Sequence, residues 1–281
     1  MTTYETFTVE RLTPVVGARI TDIDMSMPLS TQSRDEVFRA FAEFSLLSFP
    51  GQDVSPAQQV EIARLFGELD APRKFRQYSD DDPLVALLEQ DGSEKVTVGE
   101  RWHSDNMDYE NPYAALVMYQ EASPPDGGDT LFSSMYAAYD ALSRSMQEFL
   151  EGKVALNDNR RVAISGQFNP NYTEQGKSVP DPVEHPVIRT HPVTKRKLLY
   201  VNPAFSHKIV GLSDGESDVI LNYLFNLVAT RPDFQCRHRW TPGTLVIWDN
   251  ISLQHYAVGD YQGLRRMRRV EVRGDRPYYE A

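Results

Sequence analysis

Near the end of the chain, strand-like runs follow one another with turns, and no helix, between them. Residues 234–240 lead into Thr241-Pro242-Gly243, residues 244–248 stop at Asp249-Asn250, and a last run at 265–273 lies beyond Gly259. Strands that succeed one another without crossover helices argue against a doubly wound dinucleotide-binding sheet. They point to a β-rich core with helices packed on its outside. Earlier runs at 46–49, 84–88, 114–119 and 197–201 fit the same plan, separated by turn chemistry such as Pro124-Pro125-Asp126-Gly127-Gly128.

Four helices are expected around that core. Val37, Phe38, Phe41 and Phe44 recur at helical spacing over residues 33–44. Ser55-Pro56-Ala57-Gln58 places an N-cap, a first-turn proline and a capping-box glutamine together, and Gly67 supplies a stop. Ser143 caps a helix carrying Met146, Phe149 and Leu150. Ser213 and Glu216 form a second capping box, followed by Val219, Ile220, Tyr223, Leu224 and Leu227 as the apolar face. The apolar signal runs without a linker or repeat, so a single domain over residues 1–281 is expected.

Composition narrows the partners. Hydrophobic residues are 41% and charged residues 25% of 281, an ordinary globular balance. The net charge of −11 argues against nucleic acid as a partner. No apolar run approaches the ~20 residues of a membrane span. MTTYETFTVERLTP lacks the basic start and apolar stretch of a secretory signal, so the cytoplasm is the expected compartment. Cys236 is the only cysteine; no internal disulfide can form, and its strand-like setting reads as a small buried hydrophobe.

The chemistry concentrates at three places. In the extended segment Trp102-His103-Ser104-Asp105, residues i and i+2 point to one side, so the His103 imidazole and the Asp105 carboxylate converge. His-x-Asp alone is common on solvated loops. A third ligand is available in His255, in Leu253-Gln254-His255-Tyr256 just past the break at Asp249-Asn250. Two histidines and one carboxylate with open positions is the facial arrangement of non-haem iron oxygenases. Ten residues on, Arg265 and Arg269 share a strand face with Met267 and are suited to carboxylate binding. Arg266 and Arg268 face the other way and are expected to be a solvated basic edge.

Taken in order, His103-x-Asp105, His255 and Arg265-x-x-x-Arg269 resemble the TauD/TfdA family of Fe(II)/2-oxoglutarate dioxygenases. Phe66-Gly67-Glu68-Leu69, Gly127-Gly128-Asp129-Thr130, Val187-Ile188-Arg189-Thr190-His191-Pro192, Leu199-Tyr200-Val201-Asn202 and Trp248-Asp249-Asn250 extend the likeness over roughly residues 8–280. The resemblance implies a β-rich α/β fold, a double-stranded β-helix (a cupin-like jelly roll) flanked by helices. It implies Fe(II) held by His103, Asp105 and His255, with 2-oxoglutarate and O2 as cosubstrates. By the same likeness Arg265 grips the distal carboxylate of 2-oxoglutarate with help from the Thr130 hydroxyl. Arg269 would then sit by an anionic organic substrate, whose hydroxylation accompanies release of succinate and CO2. The family also suggests a dimer or larger assembly.

The family's taurine contacts are not matched. There is no histidine before His103, and Gly99 stands where an asparagine is expected, so taurine is not the expected substrate. A sulfonate, an aryloxyalkanoate, an alkyl sulfate or a carboxylate-bearing metabolite suits Arg269. Asn106, Phe75, Tyr109 and Phe205 are candidate substrate contacts. Arg73, Lys74 and Arg76 are either contacts for an anionic substrate or, as the preferred expectation, a solvated loop beside Asp80-Asp81-Asp82, and His185, His191, His207 and His238 are expected to be structural or exposed. A zinc hydrolase using the same triad, or a non-catalytic jelly-roll binding module, are the competing readings.

Overall fold

The computed structural model describes residues 3–72, 74–93, 97–159 and 181–281. In chain order come β1 (Thr8–Arg11), β2 (Ala18–Thr21), α1 (Thr31–Phe44), β3 (Leu46–Phe49), α2 (Pro56–Arg64) and β4 (Leu69–Asp70). Next are β5 (Ala86–Gln90), β6 (Ala115–Ala122), β7 (Thr130–Ser134), α3 (Met135–Asp140), α4 (Arg144–Leu150) and β8 (Val154–Asn157). The remainder carries β9 (Val183–Pro186), β10 (Ile188–Thr190), β11 (Lys197–Leu199), β12 (Ser206–Ile209), α5 (Asp214–Ala229) and β13 (Gln235–His238). The last strands are β14 (Leu245–Asp249), β15 (Leu253–Ala257) and β16 (Arg265–Val272).

Two sheets form a jelly roll. The larger runs β1-β2-β3-β14-β6-β16-β4, with β5 also paired to β16; the smaller runs β13-β7-β15. Apart from β2 with β3, the pairs within these two sheets are antiparallel. Strand parity sorts the residues. Val246 and Trp248 of β14, Leu116 and Met118 of β6 and Met267 of β16 pack with Phe132, Cys236 and Leu253 of the smaller sheet. Their alternates, Leu245, Ile247, Ala115, Val117 and Val270, pack instead against α1 and α2 through Val37, Phe44 and Ile62. Strands covered on both faces are apolar almost continuously, which is why these runs stand out in the sequence.

The caps behave as their chemistry requires. Ser55 with Gln58, and Ser213 with Glu216, both close capping boxes, and the Ser143 side chain accepts from the Met146 N–H. Each such cap contributes about 1 kcal/mol. Helix α1 starts earlier than expected, with Ser30 accepting from the Ser33 N–H. The expected face of α5 is corrected. Leu221, Leu224, Phe225 and Val228 are the buried side, while Val219 and Tyr223 are exposed. Both stripes satisfy helical spacing; packing against α3 and β12 selects one.

The basic edge expected at β16 is also corrected. β16 is an interior strand, paired with β6 on one side and with β5 and β4 on the other. Arg268 is buried on its helix-facing side, with its guanidinium 4.4 Å from the Tyr119 ring centre and donating to the Val54 carbonyl. Arg266 is half-buried and ion-paired with Glu89 and Glu121. Cys236 is buried, and burial pushes its thiol up to about 11.

Candidate active site

His103 and His255 are antiparallel neighbours: the His103 N–H donates to the His255 carbonyl at 3.1 Å and the His255 N–H to the His103 carbonyl at 2.8 Å. This single bridge joins two segments 152 residues apart and puts the imidazole centres 4.1 Å from each other. Asp105, two residues beyond His103, returns to the same side. Its Oδ1 lies 3.7 Å from His103 Nε2 and its Oδ2 3.5 Å from His255 Nε2. The three ligand atoms lie within 4.8 Å of one another, and among the described residues this is the one cluster of such groups able to hold a metal.

The donor set is prepared for a cation. His103 Nδ1–H donates to the Arg101 carbonyl at 2.6 Å, which leaves the Nε2 lone pair facing inward. Asp105 Oδ2 is buried without a hydrogen-bond donor, an orphaned acceptor that a divalent ion satisfies. Burial holds both imidazoles below the ordinary histidine value, His255 at about 3. Burial opposes ionisation of Asp105, but Arg269 and the two imidazoles outweigh it and keep the carboxyl below its ordinary range. All three groups are thus deprotonated near neutral pH, the form that metals bind. Gly99 closes over the ring at φ +85°; a Cβ there would meet His103 Cε1 at 3.3 Å.

A buried cation stands across the cavity. Arg265 is buried, donates Nε–H to the Gly128 carbonyl at 3.2 Å, and has no ion pair with a carboxylate among the described residues. Burial lowers its pKa from the usual arginine value. An unpaired buried charge is costly, so the site calls for an anionic ligand. The glycine turn that faces it is braced from behind: Asp260 accepts from the Gly128 N–H at 3.0 Å, and Arg237 bridges Asp129 and Asp260 at 2.6 and 2.9 Å. Thr130 also lines the cavity and accepts from the Trp240 indole at 2.9 Å.

Arg269 occupies the opposite end of the same strand face. It contacts Asp105 Oδ2 at 3.4 Å and Glu271 at 3.0 Å, and lies over the Phe75 ring at 5.1 Å. Glu271 is itself buried, which raises its pKa against the pull of Arg269. Asn106 turns the chain just after Asp105 with a left-handed backbone, φ 58°. Nine of the ten residues singled out from the sequence, His103, Asp105, His255, Thr130, Arg265, Arg269, Asn106, Phe75 and Phe205, line one cavity. Tyr109 does not line it.

Lys74 departs from expectation. It is buried in that cavity wall, ion-paired with Asp108 at 2.8 Å and close to the Tyr109 and Phe205 rings. Arg76 is on the surface, paired with Glu89, and Arg73 lies outside the described residues. His185, His191 and His238 are buried and hydrogen-bonded, and His207 is half-buried beside Asp158. Sequence reasoning missed the role of Asn250. Its amide accepts from the Asp105 N–H at 2.8 Å and donates to the Asp105 carbonyl at 3.0 Å. Its place in Trp248-Asp249-Asn250, just before the distal histidine, was the available signal.

A jelly roll with a His-x-Asp…His cluster, a buried free-handed arginine and a cavity joining them defines an iron-dependent oxygenase that uses a dicarboxylate cosubstrate. The comparisons with known proteins agree. Residues 8–270 match the family model "Taurine catabolism dioxygenase TauD, TfdA family". The chain is 35% identical to an alpha-ketoglutarate-dependent 2,4-dichlorophenoxyacetate dioxygenase of Cupriavidus pinatubonensis, over 91% of this chain and 94% of the other. It is 33% identical to an alpha-ketoglutarate-dependent sulfonate dioxygenase of Saccharomyces cerevisiae, over 96% of this chain and 67% of the other. A crystal structure of a taurine dioxygenase from Burkholderia xenovorans superposes with a TM-score of 0.84 at 27% identity, covering 98% of this chain and 92% of that one. The chain belongs to the TauD/TfdA family, and it is an Fe(II)- and 2-oxoglutarate-dependent dioxygenase.

Proposed function

We propose that His103, Asp105 and His255 hold the Fe(II), that Arg265 and Thr130 bind the distal carboxylate of 2-oxoglutarate, and that Arg269 faces the anionic group of a small organic substrate. The observation that carries this reading is the meeting of two features in one cavity: the His103, Asp105 and His255 cluster, whose Asp105 Oδ2 has only the longer Arg269 contact at 3.4 Å, and the buried Arg265 guanidinium with no carboxylate partner among the described residues. A divalent ion fits the first and a carboxylate the second. A zinc hydrolase or a binding module would leave the Arg265 charge unexplained.

When bound, the iron with 2-oxoglutarate and O2 supplies the oxidising chemistry that gives succinate, CO2 and a hydroxylated substrate carbon. The protein's own work is positional. Arg265, held by Gly128, fixes one end of the cosubstrate through a two-pronged carboxylate contact. Arg269 holds its charge beside Asp105 and Glu271 and presents it to the substrate anion. Phe75 and Phe205 give the substrate an apolar wall, with Asn106 and the Lys74–Asp108 ion pair beside them. Hydroxylation at a carbon bearing oxygen or sulfur yields an unstable product, so C–O or C–S cleavage follows naturally from this chemistry.

The names of the relatives span aryloxyacetate and sulfonate substrates, and Arg269 suits either anion. The missing histidine and asparagine contacts make taurine a poor candidate. We read residues 1–281 as a single cytoplasmic domain that assembles with copies of itself; the family match across residues 8–270 supports the single domain. The test is succinate release from 2-oxoglutarate by Fe(II)-loaded protein in air, with a panel of sulfonates, aryloxy acids, alkyl sulfates and carboxylates. Release stimulated by one class supports the reading and names the substrate chemistry. Absence of release, with zinc in the purified protein, overturns it.

A further inference from the structure

We propose that Asn250 is a positioning residue for the Asp105 carboxylate, held in place by a buried His191–Asp249–Ser252 network beneath the metal site. This rests on the reading of His103, Asp105 and His255 as the metal ligands. Asn250 is fully buried, and none of its side-chain hydrogen bonds goes to a neighbour in sequence. Its Oδ1 accepts from the Asp105 N–H at 2.8 Å, and its Nδ2 donates to the Asp105 carbonyl at 3.0 Å and to the Tyr113 carbonyl at 2.9 Å. Both backbone groups of Asp105 are therefore fixed by one planar amide. Asp105 needs such a clamp, because the chain turns into a left-handed conformation at Asn106 immediately afterwards.

The amide is fixed in turn. Asn250 sits in the turn between β14 and β15, and the adjoining Asp249 is buried. Asp249 Oδ1 accepts from the Ile251 N–H at 2.9 Å, and Oδ2 accepts from the Ser252 hydroxyl at 2.5 Å and from His191 Nε2 at 3.0 Å. His191 can only donate there. Its Nδ1 already accepts from the Val193 and Thr194 N–H groups, each at 3.1 Å, so the ring proton is on Nε2. Ser45 extends the network through Ser252 at 3.0 Å. The same turn launches β15, which carries His255. One buried polar knot thus sets the carboxylate ligand through Asn250 and the distal imidazole through β15.

The experiment is calorimetric titration of the full-length apo-protein with Mn(II) alone, without cosubstrate, alongside the absorption spectrum of the Co(II)-loaded protein. Asn250→Ala is expected to weaken Mn(II) by at least about 10-fold, the size expected when a partner of a ligand is lost, and to shift the Co(II) bands. Asn250→Asp, which keeps the acceptor for the Asp105 N–H but turns a carboxylate oxygen on the Asp105 and Tyr113 carbonyls, is expected to lose affinity as well. His191→Gln gives a smaller loss. Leu224→Ala, in the buried face of α5, lowers stability but leaves Mn(II) affinity and the Co(II) bands unchanged, which separates positioning from general loosening. If Asn250→Ala does not fold, Asn250→Asp and His191→Gln are judged by the same measure. Binding within about two-fold of wild type in the folded variants overturns the proposal. Failure of the wild-type protein itself to bind Mn(II) overturns the metal-site reading instead.

Discussion

Lys74 and Asp108 meet at 2.8 Å with 7% and 8% of their side chains exposed. A pair so buried is held together by mutual need: removing one partner strands the other's charge, typically at a cost of about 3–5 kcal/mol. Lys74→Met is therefore expected to lower unfolding free energy by that order in a denaturant titration. Adding Asp108→Leu should restore much of the loss. A single variant as stable as wild type would show that the pair is not closed to solvent.

The proposed reading assigns one anion to each of the two arginines. Arg265→Ala is expected to raise the KM for 2-oxoglutarate by about 30-fold or more, the scale of an unpaired charge contact of about 2 kcal/mol. Arg269→Ala is expected to raise the KM for the primary substrate while leaving 2-oxoglutarate affinity largely intact. Steady-state kinetics with each ligand varied in turn measures both, and the opposite pattern would mean the roles are exchanged.

Asp105→Ala removes the candidate carboxylate ligand and leaves Arg269 without its Oδ2 contact. Hydroxylation is expected to fall below detection, and bound iron by elemental measurement to drop with it. Wild-type turnover in this variant would sink the ligand assignment.

Stability should fall in mild acid through buried histidines outside the candidate ligand set. Burial holds His185 and His238 at about 4, against about 6.5 in an unfolded chain. A histidine with a depressed folded pKa favours folding above the unfolded value. That contribution is lost as pH falls from about 6.5 towards 4, because the unfolded chain takes up the proton first. Each site is worth on the order of 3 kcal/mol by this linkage. Thermal melts from pH 7 to pH 4 should show the decline, and His238→Gln should flatten part of it. An unchanged slope in that variant would remove His238 from the account.

Gly127 stands at φ +74°, and a Cβ there would lie 2.4 Å from the Asp260 carbonyl oxygen. That obstacle is backbone, so Gly127→Ala must move the turn that presents the Gly128 carbonyl to Arg265. A loss of stability of about 1–3 kcal/mol is expected, with a raised KM for 2-oxoglutarate. A variant with normal stability and normal KM would show that the turn does not orient Arg265.

What the sequence made legible was mostly local or periodic. Ser55-Gln58 and Ser213-Glu216 cap their helices through atoms three residues apart. His103 and Asp105 share a side because they are two residues apart in extended chain, and the same parity aligns Arg265, Met267 and Arg269. The errors share the opposite property. Arg268 was misjudged because its burial depends on Tyr119 and Val54, far away in sequence. Lys74 was misjudged because Asp108 covers its charge from 34 residues away. The α5 face was ambiguous because two stripes of one helix were both apolar, and only the neighbours decide. Asn250 escaped notice because its partner is 145 residues away.

The position of β16 in the larger sheet carries a consequence for how the protein comes into being. The strand Arg265–Val272, last in order among the described residues, lies between β6 and the β5 and β4 edge, and brings both arginines with it. A ribosome that has produced everything up to residue 264 has made all three candidate ligands, yet the sheet still lacks an inner strand and the cavity both of its buried arginines. β16 thus supplies the piece that completes the sheet and the cavity. A premature stop shortly before residue 265 should give not a weakened catalyst but an unfinished sheet with two open edges, which cellular proteolysis would clear.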